Sequence, residues 1–560
     1  MPKLVECVPN ISEGQDEKIY LAIAREAETV EGVRLLDIDP GKATNRTVIT
    51  LVGGPDEILE AAFRLIKKAA ELIDMRKHQG EHPRFGATDV CPFIPISGIT
   101  MEECALLAHK LGRRVGEELG ISVYTYESAA SRPERKNLAN VRAGEYEGLA
   151  HKMKDPAWRP DYGPATFNER SGAIAIGARD FLVAYNINLN TTSTRRANAL
   201  AFDVREAGRL LRKGDPINGE IILDEKGEPI REPGRLKSVK AIGWYIEEYG
   251  ICQISMNLTN ISMTPVHEAF DAVCEAAQER GMRVTGSELV GLAPKKVFID
   301  AADFFLRRQQ RSLGISEAEK IKIAVKSLGL AELKPFDPQK SIIEYVLADD
   351  NAHPLIDMNL HKFADETASE SPAPGGGSIA AYIGTLGAAL GTMVANLSSH
   401  KRGWDDRWEY FSQWAQTGER LKNDLLYLVD ADTTAFNGIL TAMRLPKSNE
   451  DESTARNAAI EIATKEAIQV PWRIMETACH IYPLLMEMAN NGMTQSISDI
   501  GVGALSTHTA IQGAWLNVQI NCKSLNDGAY KEDILARGLK LVSESARLSE
   551  AVMKIVDEKI

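Results

Sequence analysis

The sequence predicts a multidomain protein in which two α/β subdomains are followed by an all-helical bundle. Three observations predict this fold class: the chain has 560 residues, its first half alternates strand and helix patterns, and its final part contains helical patterns alone. A chain of this length exceeds one ordinary domain, so about three to four folding units are expected. Alternating patterns favour stacked α/β subdomains, and the helical part favours a bundle.

The α/β half shows the same order of elements twice. Strand patterns at residues 4–8, 33–38, 46–52 and 90–96 alternate with helical patterns at 16–30 and 58–73, and an added helix and strand follow at 102–119 and 122–126. A second β-α-β-β-α-β round runs through 181–189, 193–211, 239–246, 252–258, 265–280 and 282–285. The charged, Gly- and Pro-rich residues 213–234 interrupt this round and predict a surface hairpin.

Beyond a proline-rich junction the strand patterns end. Helical patterns at 404–443, 455–482 and 504–521 predict the bundle. Residues 371–399 carry no charged side chain and could cross a bilayer by length, but their Gly, Ala, Ser and Thr content favours a helix packed inside the bundle. We therefore expect subdomains at 1–178 and 179–331, a linker at 332–355, a helical domain at 356–560 and no membrane span.

Composition narrows the partners and the compartment. The chain is 44% hydrophobic, 26% charged and has a net charge of −13, which argues against disorder, nucleic acid or an anionic membrane surface as its main partner. Its seven cysteines form no CxxC pair and its ten histidines form no HExxH motif. We therefore expect free thiols in a reducing compartment, no metal site and a cytoplasmic location, since residues 1–14 lack the apolar stretch of a signal peptide.

A loop in the first subdomain contains His82 between Glu81 and Pro83, with Arg84 close behind. The proline holds the backbone of His82 extended, and an imidazole beside a carboxylate and a guanidinium suits proton transfer near neutral pH. From the residues alone, a solvated loop histidine is the simpler alternative.

A Gly-bounded polar loop precedes the second subdomain, where backbone donors and Asn168 or Arg170 could meet a polar heterocycle. An ordinary linker is an equal alternative. Asn186 and Asn188 on the next strand are expected to face one side together. The loop comprises Gly163, Pro164, Ala165, Thr166, Phe167, Asn168, Glu169, Arg170, Ser171 and Gly172.

The long helical pattern places Asp432 on an apolar seam, whereas Asp430 points to nearly the opposite side. Burial should raise the pKa of Asp432 and make it a plausible proton donor, although a buried aspartate paired with a local donor is the alternative. The glycine-rich turn at Gly376 and Ser378 opens a helix whose free N–H groups could receive a polar group. Asp499 reads as an ordinary helix N-cap.

These segments together resemble the bifunctional formimidoyltransferase-cyclodeaminases, the folate enzymes of histidine degradation and one-carbon metabolism. The similarity covers almost the whole chain in order. Its motifs are LVECVPN at residues 4–10, TNRT at 44–47, HQGEHPRFG at 78–86, DVCPFIP at 89–95, RAGEYE at 142–147, FLVAYNINL at 181–189, APGGGS at 373–378, VDAD at 429–432 and AMRLP at 442–446.

The resemblance implies roles for residues that the patterns left open. His82 would catalyse transfer of a formimino group from N-formimino-L-glutamate to tetrahydrofolate, and residues 163–172 would contact folate. Asp432 would catalyse closure of 5-formiminotetrahydrofolate to 5,10-methenyltetrahydrofolate with release of ammonia. Polyglutamylated tetrahydrofolate would be a co-substrate rather than a bound cofactor, and the chain would form a homo-oligomer through both domains.

Two alternatives differ from a fully active bifunctional enzyme. One half of the chain could be inactive, or the protein could be a folate-binding oligomeric scaffold without turnover. The presence of both His82 and Asp432 argues against a dead half.

Overall fold

The computed structural model describes residues 3–41, 45–79, 84–214, 219–348 and 354–560. The chain packs as two compact units. The α/β unit comprises Met1–Val297 and Leu328–Leu347, and the helical unit comprises Phe298–Ser327 and Ala348–Ile560. The chain therefore passes from one unit to the other three times.

The first subdomain of the α/β unit is built on a seven-stranded sheet, counted over the described residues. The strand order is β3-β4-β1/β2-β5-β7-β6; β1 to β5 pair antiparallel, whereas β6 and β7 continue the sheet parallel to β5. The elements are β1 (Leu4–Cys7), β2 (Asn10–Ile11), α1 (Glu17–Glu28), β3 (Arg34–Gly41), β4 (Arg46–Gly53), α2 (Pro55–Leu72), β5 (Thr88–Ser97), α3 (Met101–Glu118), β6 (Ser122–Glu127), α4 (Leu138–Arg142), α5 (Glu145–Lys152) and β7 (Ala173–Ala178).

Helices cover the two faces of this sheet unequally. The apolar stripes of α1, α2 and α3 pack on one face, and a capping box between Thr100 and Glu103 starts α3. On the other face, α4 and α5 bring Val141 and Leu149 against Tyr124. The rest of that face is left free to line a cavity.

The second subdomain repeats the first. Its described sheet has the order β11-β12-β8-β13, and all neighbouring strands are antiparallel. The first strand of the β-α-β-β-α-β repeat, β8, thus lies between the third and the fourth, as β1 does in the first subdomain. The predicted β-α-β-β-α-β repeat is confirmed. The elements are β8 (Val183–Leu189), α6 (Thr194–Val204), β9 (Arg209–Leu210), β10 (Arg231–Glu232), β11 (Val239–Ile246), β12 (Ile251–Leu258), α7 (Val266–Glu279) and β13 (Val284–Val290).

The structure differs from the sequence-based expectations at two places in this half. Strand β7 was not predicted, because its sequence AIAIGA is short and rich in the weak strand formers Ala and Gly. The helix expected at 193–211 ends at Val204, because the backbone becomes extended at Arg205. Gly208, with a φ of +56°, then turns the chain into β9. The predicted hairpin begins there: β9 pairs with β10, and the described residues 219–234 fold back antiparallel.

The helical unit is built around α13 (Gly376–Ser399), which packs between α14 (Trp408–Met443) and α17 (Ile497–Cys522). A Cβ at Gly387 would lie 2.6 Å from Thr507 Oγ1, so glycine is needed for this close approach of α13 and α17. The remaining helices of the chain are α8 (Lys295–Arg308), α9 (Glu317–Leu328), α10 (Pro338–Ser341), α11 (Ile343–Val346), α12 (Leu360–Thr367), α13 (Gly376–Ser399), α14 (Trp408–Met443), α15 (Glu450–Cys479), α16 (Tyr482–Asn491), α17 (Ile497–Cys522) and α18 (Gly528–Lys559).

Within the part of the chain that the structure describes, α13 is the one helix long and apolar enough to cross a membrane. Most of its apolar stretch is buried inside the bundle, as its small residues predict. The expected role of α13 as a packed bundle helix is confirmed.

Packing places residues 298–327 with the helical unit, whereas the sequence patterns place them in the span 179–331. The backbone N–H of Leu313 donates to Ser412 Oγ at 3.0 Å, and Asn396 Nδ2 donates to the Gly314 carbonyl at 2.7 Å. These bonds attach the connection between α8 and α9 to α13 and α14.

Candidate functional sites

A cavity of about 1020 Å³ lies in the α/β unit where the two subdomains meet. It opens over the free face of the first sheet and reaches β11 of the second subdomain. Among the residues that the structure describes, four cations line it, Arg46, Arg142, Arg179 and Lys240, beside three carboxylates, Glu127, Glu145 and Asp180. Guanidinium groups bind carboxylates in a planar, two-point geometry, so the lining suits an anionic substrate.

The patterns in the sequence did not single out these cations. Arg46 and Arg142 stand in the motifs TNRT and RAGEYE, which carried the family resemblance. Arg179 and Lys240 have no such signal, because their place on the cavity depends on the meeting of two subdomains.

Asp89 forms a buried ion pair with Arg142 beside this cavity. The side chain of Asp89 is 1% exposed, and its Oδ1 accepts Arg142 Nε at 3.2 Å while Oδ2 pairs with Arg142 Nη2. Burial raises the pKa of Asp89, and the positive charges of Arg142 and Arg46 oppose that rise. Arg142 is therefore held in one orientation at the cavity wall.

His82 and Glu81 lie outside the described residues, so their predicted roles stay predictions. The chain is fixed on both sides of them. Asn45 Nδ2 donates to the Gln79 carbonyl at 2.7 Å, and the Arg84 guanidinium donates to the His78 carbonyl and pairs with Glu147. Arg84 thus fastens the loop to α5.

In the loop at residues 163–172, polar side chains form hydrogen bonds with the protein backbone. Asn168 Oδ1 accepts the N–H groups of Arg170 and Ser171 at 3.1 and 3.0 Å, and Arg170 Nη2 donates to the Glu71 carbonyl at 2.6 Å. The side chains of Asn168 and Arg170 therefore have partners within the protein.

The end of this loop lies beside the segment that follows Arg84. Ala87 N–H donates to the Ser171 carbonyl at 2.8 Å, and Ala173 N–H donates to the Phe85 carbonyl at 3.1 Å. Two segments that are far apart in the sequence are adjacent here.

Asn186 and Asn188 share one buried face of the second sheet, as alternation on a strand predicts. Asn188 Nδ2 donates to Glu332 at 2.8 Å, and Asn188 Oδ1 accepts Gln253 Nε2 at 2.8 Å. Asn188 therefore has structural partners, and the cavity lining does not include either asparagine.

In the helical unit, Asp432 lies against the first turn of α13. Its Oδ2 accepts Ser378 N–H at 2.9 Å and Ser378 Oγ at 3.3 Å. Burial raises the pKa of Asp432, and the two hydrogen bonds from Ser378 oppose the rise. The expected direction of the pKa shift is confirmed.

Two glycines and an asparagine lie near the start of α13, where Asp432 is bound. A Cβ on Gly377 would overlap the Asp432 oxygens, so glycine leaves room for them. Beside Gly376 lies the side-chain amide of Asn517, which sequence patterns did not reveal because α17 reaches α13 only in the folded bundle. Asp432, Ser378, Gly376 and Asn517 thus form one polar cluster at the start of α13.

Asp430 differs from the expectation. It points away from Asp432, as helix periodicity predicts, but it is also buried, with 6% of its surface exposed. Its oxygens accept the N–H groups of Leu355 and Ile356 at 2.9 and 3.4 Å. Asp430 therefore fastens the segment before α12 to the outer side of α14.

The prediction that Asp499 is an N-cap is wrong. Helix α17 begins at Ile497 with Ser496 as its N-cap, so Asp499 lies within the first turn. Asp499 and Asn517 both belong to α17 and lie about 27 Å apart along its axis. Asn517 is the one beside the start of α13, so Asp499 is not part of the Asp432 cluster.

All seven cysteines are free thiols, and Cys7 and Cys91 bring their sulfurs to 3.4 Å. Over the ranges 3–41, 45–79, 84–214, 219–348 and 354–560, no three His, Cys, Asp or Glu side chains converge as a metal site would require.

Three family models match successive parts of the chain. Its residues 4–179 match the formiminotransferase domain, N-terminal subdomain; residues 184–348 match the formiminotransferase domain; residues 359–538 match the formiminotransferase-cyclodeaminase model. The formimidoyltransferase-cyclodeaminase of Mus musculus is 41% identical over 554 residues, which is 99% of this chain and 98% of that protein.

Single-function relatives match parts of the chain. The glutamate formimidoyltransferase of Streptococcus pyogenes serotype M1 is 42% identical over 55% of this chain and 94% of its own length. The methenyltetrahydrofolate cyclohydrolase of Methylorubrum extorquens is 34% identical over 36% of this chain and 97% of its own length.

Proposed function

Because the chain belongs to the formimidoyltransferase-cyclodeaminase family, we propose that its two units carry out consecutive folate reactions at separate sites. The protein is a bifunctional folate enzyme. It transfers the formimino group of N-formimino-L-glutamate to tetrahydrofolate, and it then converts 5-formiminotetrahydrofolate to 5,10-methenyltetrahydrofolate and ammonia. Tetrahydrofolate serves as a co-substrate.

The transferase reaction belongs to the α/β unit, and it uses the cavity lined by cations. N-formimino-L-glutamate carries two carboxylates, and Arg46, Arg142, Arg179 and Lys240 provide complementary charge on the cavity wall. This charged lining is the observation that supports the assignment most directly. Folate contacts the backbone of residues 163–172.

His82 is the acid and base of this transfer. The reaction passes through a tetrahedral carbon that bears both N5 of folate and the nitrogen of glutamate. A base must take the N5 proton and an acid must protonate the departing amine, and one imidazole can do both in sequence. Arg84, close behind His82 in the sequence, is held by the His78 carbonyl and by Glu147.

The cyclodeaminase reaction belongs to residues 356–560, with 332–355 as the linker, and Asp432 is its general acid. N10 of folate attacks the formimino carbon, and ammonia leaves after protonation. A carboxyl group whose pKa is raised by burial holds its proton at higher pH than a free aspartate does. Ser378 orients it, and Gly376 and Asn517 line the place where the substrate would approach.

We expect Gly377→Ala to remove most cyclodeaminase activity, by about a hundredfold or more. The new Cβ would overlap the Asp432 oxygens, so the carboxylate must leave its hydrogen bonds with Ser378. Transferase activity should stay unchanged. The matched control is Gly528→Ala at the start of α18, where no atom lies within 4 Å of the added Cβ; equal activity of both variants would contradict the placement of Asp432.

The chain acts as a homo-oligomer, and a second copy covers apolar stripes on α13 and α17. Leu386, Met393 and Leu397 on α13 are 37–44% exposed, and Val502, Leu505, Leu516 and Ile520 on α17 are 52–65% exposed. Uncovered apolar stripes of this kind mark protein interfaces. Free thiols at all seven cysteines support a cytoplasmic location.

The oligomer can be tested by light scattering of Leu516→Glu. We expect this variant to have a smaller mass than the unmodified protein, because a buried glutamate would lie at the subunit contact. Leu223→Glu, on the surface hairpin and similarly exposed at 54%, should keep the original mass. A monomeric unmodified protein, or an unchanged Leu516→Glu oligomer, would contradict the proposed contact.

The overall function is tested in one spectroscopic assay. Methenyltetrahydrofolate should form from N-formimino-L-glutamate and tetrahydrofolate with the purified protein alone. If it forms from supplied 5-formiminotetrahydrofolate but not from the two substrates, the transferase half is inactive. If neither reaction occurs, the protein is a folate-binding scaffold.

A further inference from the structure

Three groups from different parts of the first subdomain meet at the Asp89 carboxylate. Arg142 of α4 binds both oxygens, Arg46 of β4 lies close enough to affect the pKa of Asp89, and the Phe85 backbone donates a hydrogen bond. Asp89 itself does not line the cavity, whereas Arg46 and Arg142 both do.

A carboxylate that is 1% exposed is costly to bury unless its charge is matched. The negative charge of Asp89 is compensated by Arg142 and Arg46, which both line the cavity. Arg142 uses its Nε and Nη2 groups on Asp89, so an anion in the cavity would meet the Nη1 edge of this guanidinium. The two-point contact also restricts the Arg142 side chain, which otherwise has many rotamers.

We propose that Asp89 is a positioning residue of the transferase site, which holds Arg142 in the orientation that receives a carboxylate of the glutamate-class substrate. This inference rests on the proposed transferase function of the cavity. Asp89 contacts Arg142 and does not contact substrate, so its effect on binding passes through Arg142.

The same subdomain contains a matched ion pair away from the cavity. Arg135 is 1% exposed, its Nη1 lies 2.6 Å from Asp161 Oδ2, and its Nη2 donates to the Ala157 and Arg159 carbonyls. Neither Arg135 nor Asp161 lines the cavity. Loss of Asp161 should therefore lower stability without changing substrate binding.

The test compares Asp89→Asn and Asp161→Asn in the full chain. We expect Asp89→Asn to raise the KM for N-formimino-L-glutamate by about tenfold or more, because a charge-assisted contact orders Arg142, and to leave the KM for tetrahydrofolate nearly unchanged. Asp161→Asn should leave both KM values unchanged. The unchanged KM for tetrahydrofolate, together with the thermal unfolding midpoint, verifies that the α/β unit of each variant is folded.

A double variant separates positioning from a structural role. If Asp89 acts through Arg142, adding Asp89→Asn to Arg142→Ala should raise the KM little further, because the two effects are not additive. Additive effects, or an unchanged KM in Asp89→Asn, would overturn the inference while the unmodified transferase stays active. An unmodified protein without transferase activity would instead overturn the function of the cavity.

Discussion

Asp432→Asn is expected to lower cyclodeaminase kcat by about 10²- to 10⁴-fold while the fold and the transferase activity are preserved. Asparagine keeps the size of the side chain and can still accept from Ser378 N–H, which donates to Oδ2 at 2.9 Å. It cannot deliver a proton to the departing ammonia. Rates of each half-reaction and the thermal unfolding midpoint of the variant would be measured together.

The cyclodeaminase rate is expected to depend on pH through the protonation of Asp432. A general acid works in its protonated form, so the rate should fall as pH rises through the pKa of Asp432. Burial raises that pKa above its ordinary value, and the falling limb should therefore lie at higher pH than for a free aspartate. The limb should be absent in Asp432→Asn.

Asp430→Asn is the matched control on the same helix. Asp430 accepts the N–H groups of Leu355 and Ile356, so its replacement should cost about 1–3 kcal/mol of stability. It should leave cyclodeaminase kcat nearly unchanged. An inactive Asp430→Asn enzyme beside an active Asp432→Asn enzyme would exchange the roles of the two aspartates.

His82→Ala is expected to lower formimino transfer by about 10²- to 10⁴-fold. Cyclodeamination of supplied 5-formiminotetrahydrofolate should be unchanged, because Asp432 belongs to the other unit. The measurement is the single-turnover transfer rate at saturating tetrahydrofolate.

A second histidine serves as the control for His82→Ala. His151 is an exposed residue of α5 in the same unit, and His151→Ala should transfer the formimino group at the original rate. Substantial transfer by the His82→Ala enzyme would remove this imidazole from the mechanism.

The repeated fold could be predicted because its signals are local. Apolar alternation in strands and apolar stripes in helices are properties of neighbouring residues, so the order β-α-β-β-α-β was visible twice. Strand β7 was missed because its stability comes from pairing with β5 and β6 rather than from its own Ala- and Gly-rich sequence.

The site was predictable in parts. Asp432 and the turn at Ser378 were each identified from their own surroundings, but their hydrogen bond joins positions far apart in the chain. The Asp89 and Arg142 pair and the amide of Asn517 depend on the same kind of distant contact. Helix periodicity also could not show that residues 355 and 356 would cover Asp430.

The alternation of the chain between its two units has a consequence for synthesis on the ribosome. Helices α8 and α9 are made before the last segment of the α/β unit, Leu328–Leu347, and long before α13 and α14. Leu313 and Gly314 must wait for Ser412 and Asn396, which are their hydrogen-bond partners in the folded helical unit. A nascent chain that stopped after residue 347 would thus carry a complete α/β unit and a connection between α8 and α9 without these partners, an incomplete state of the kind that chaperones bind.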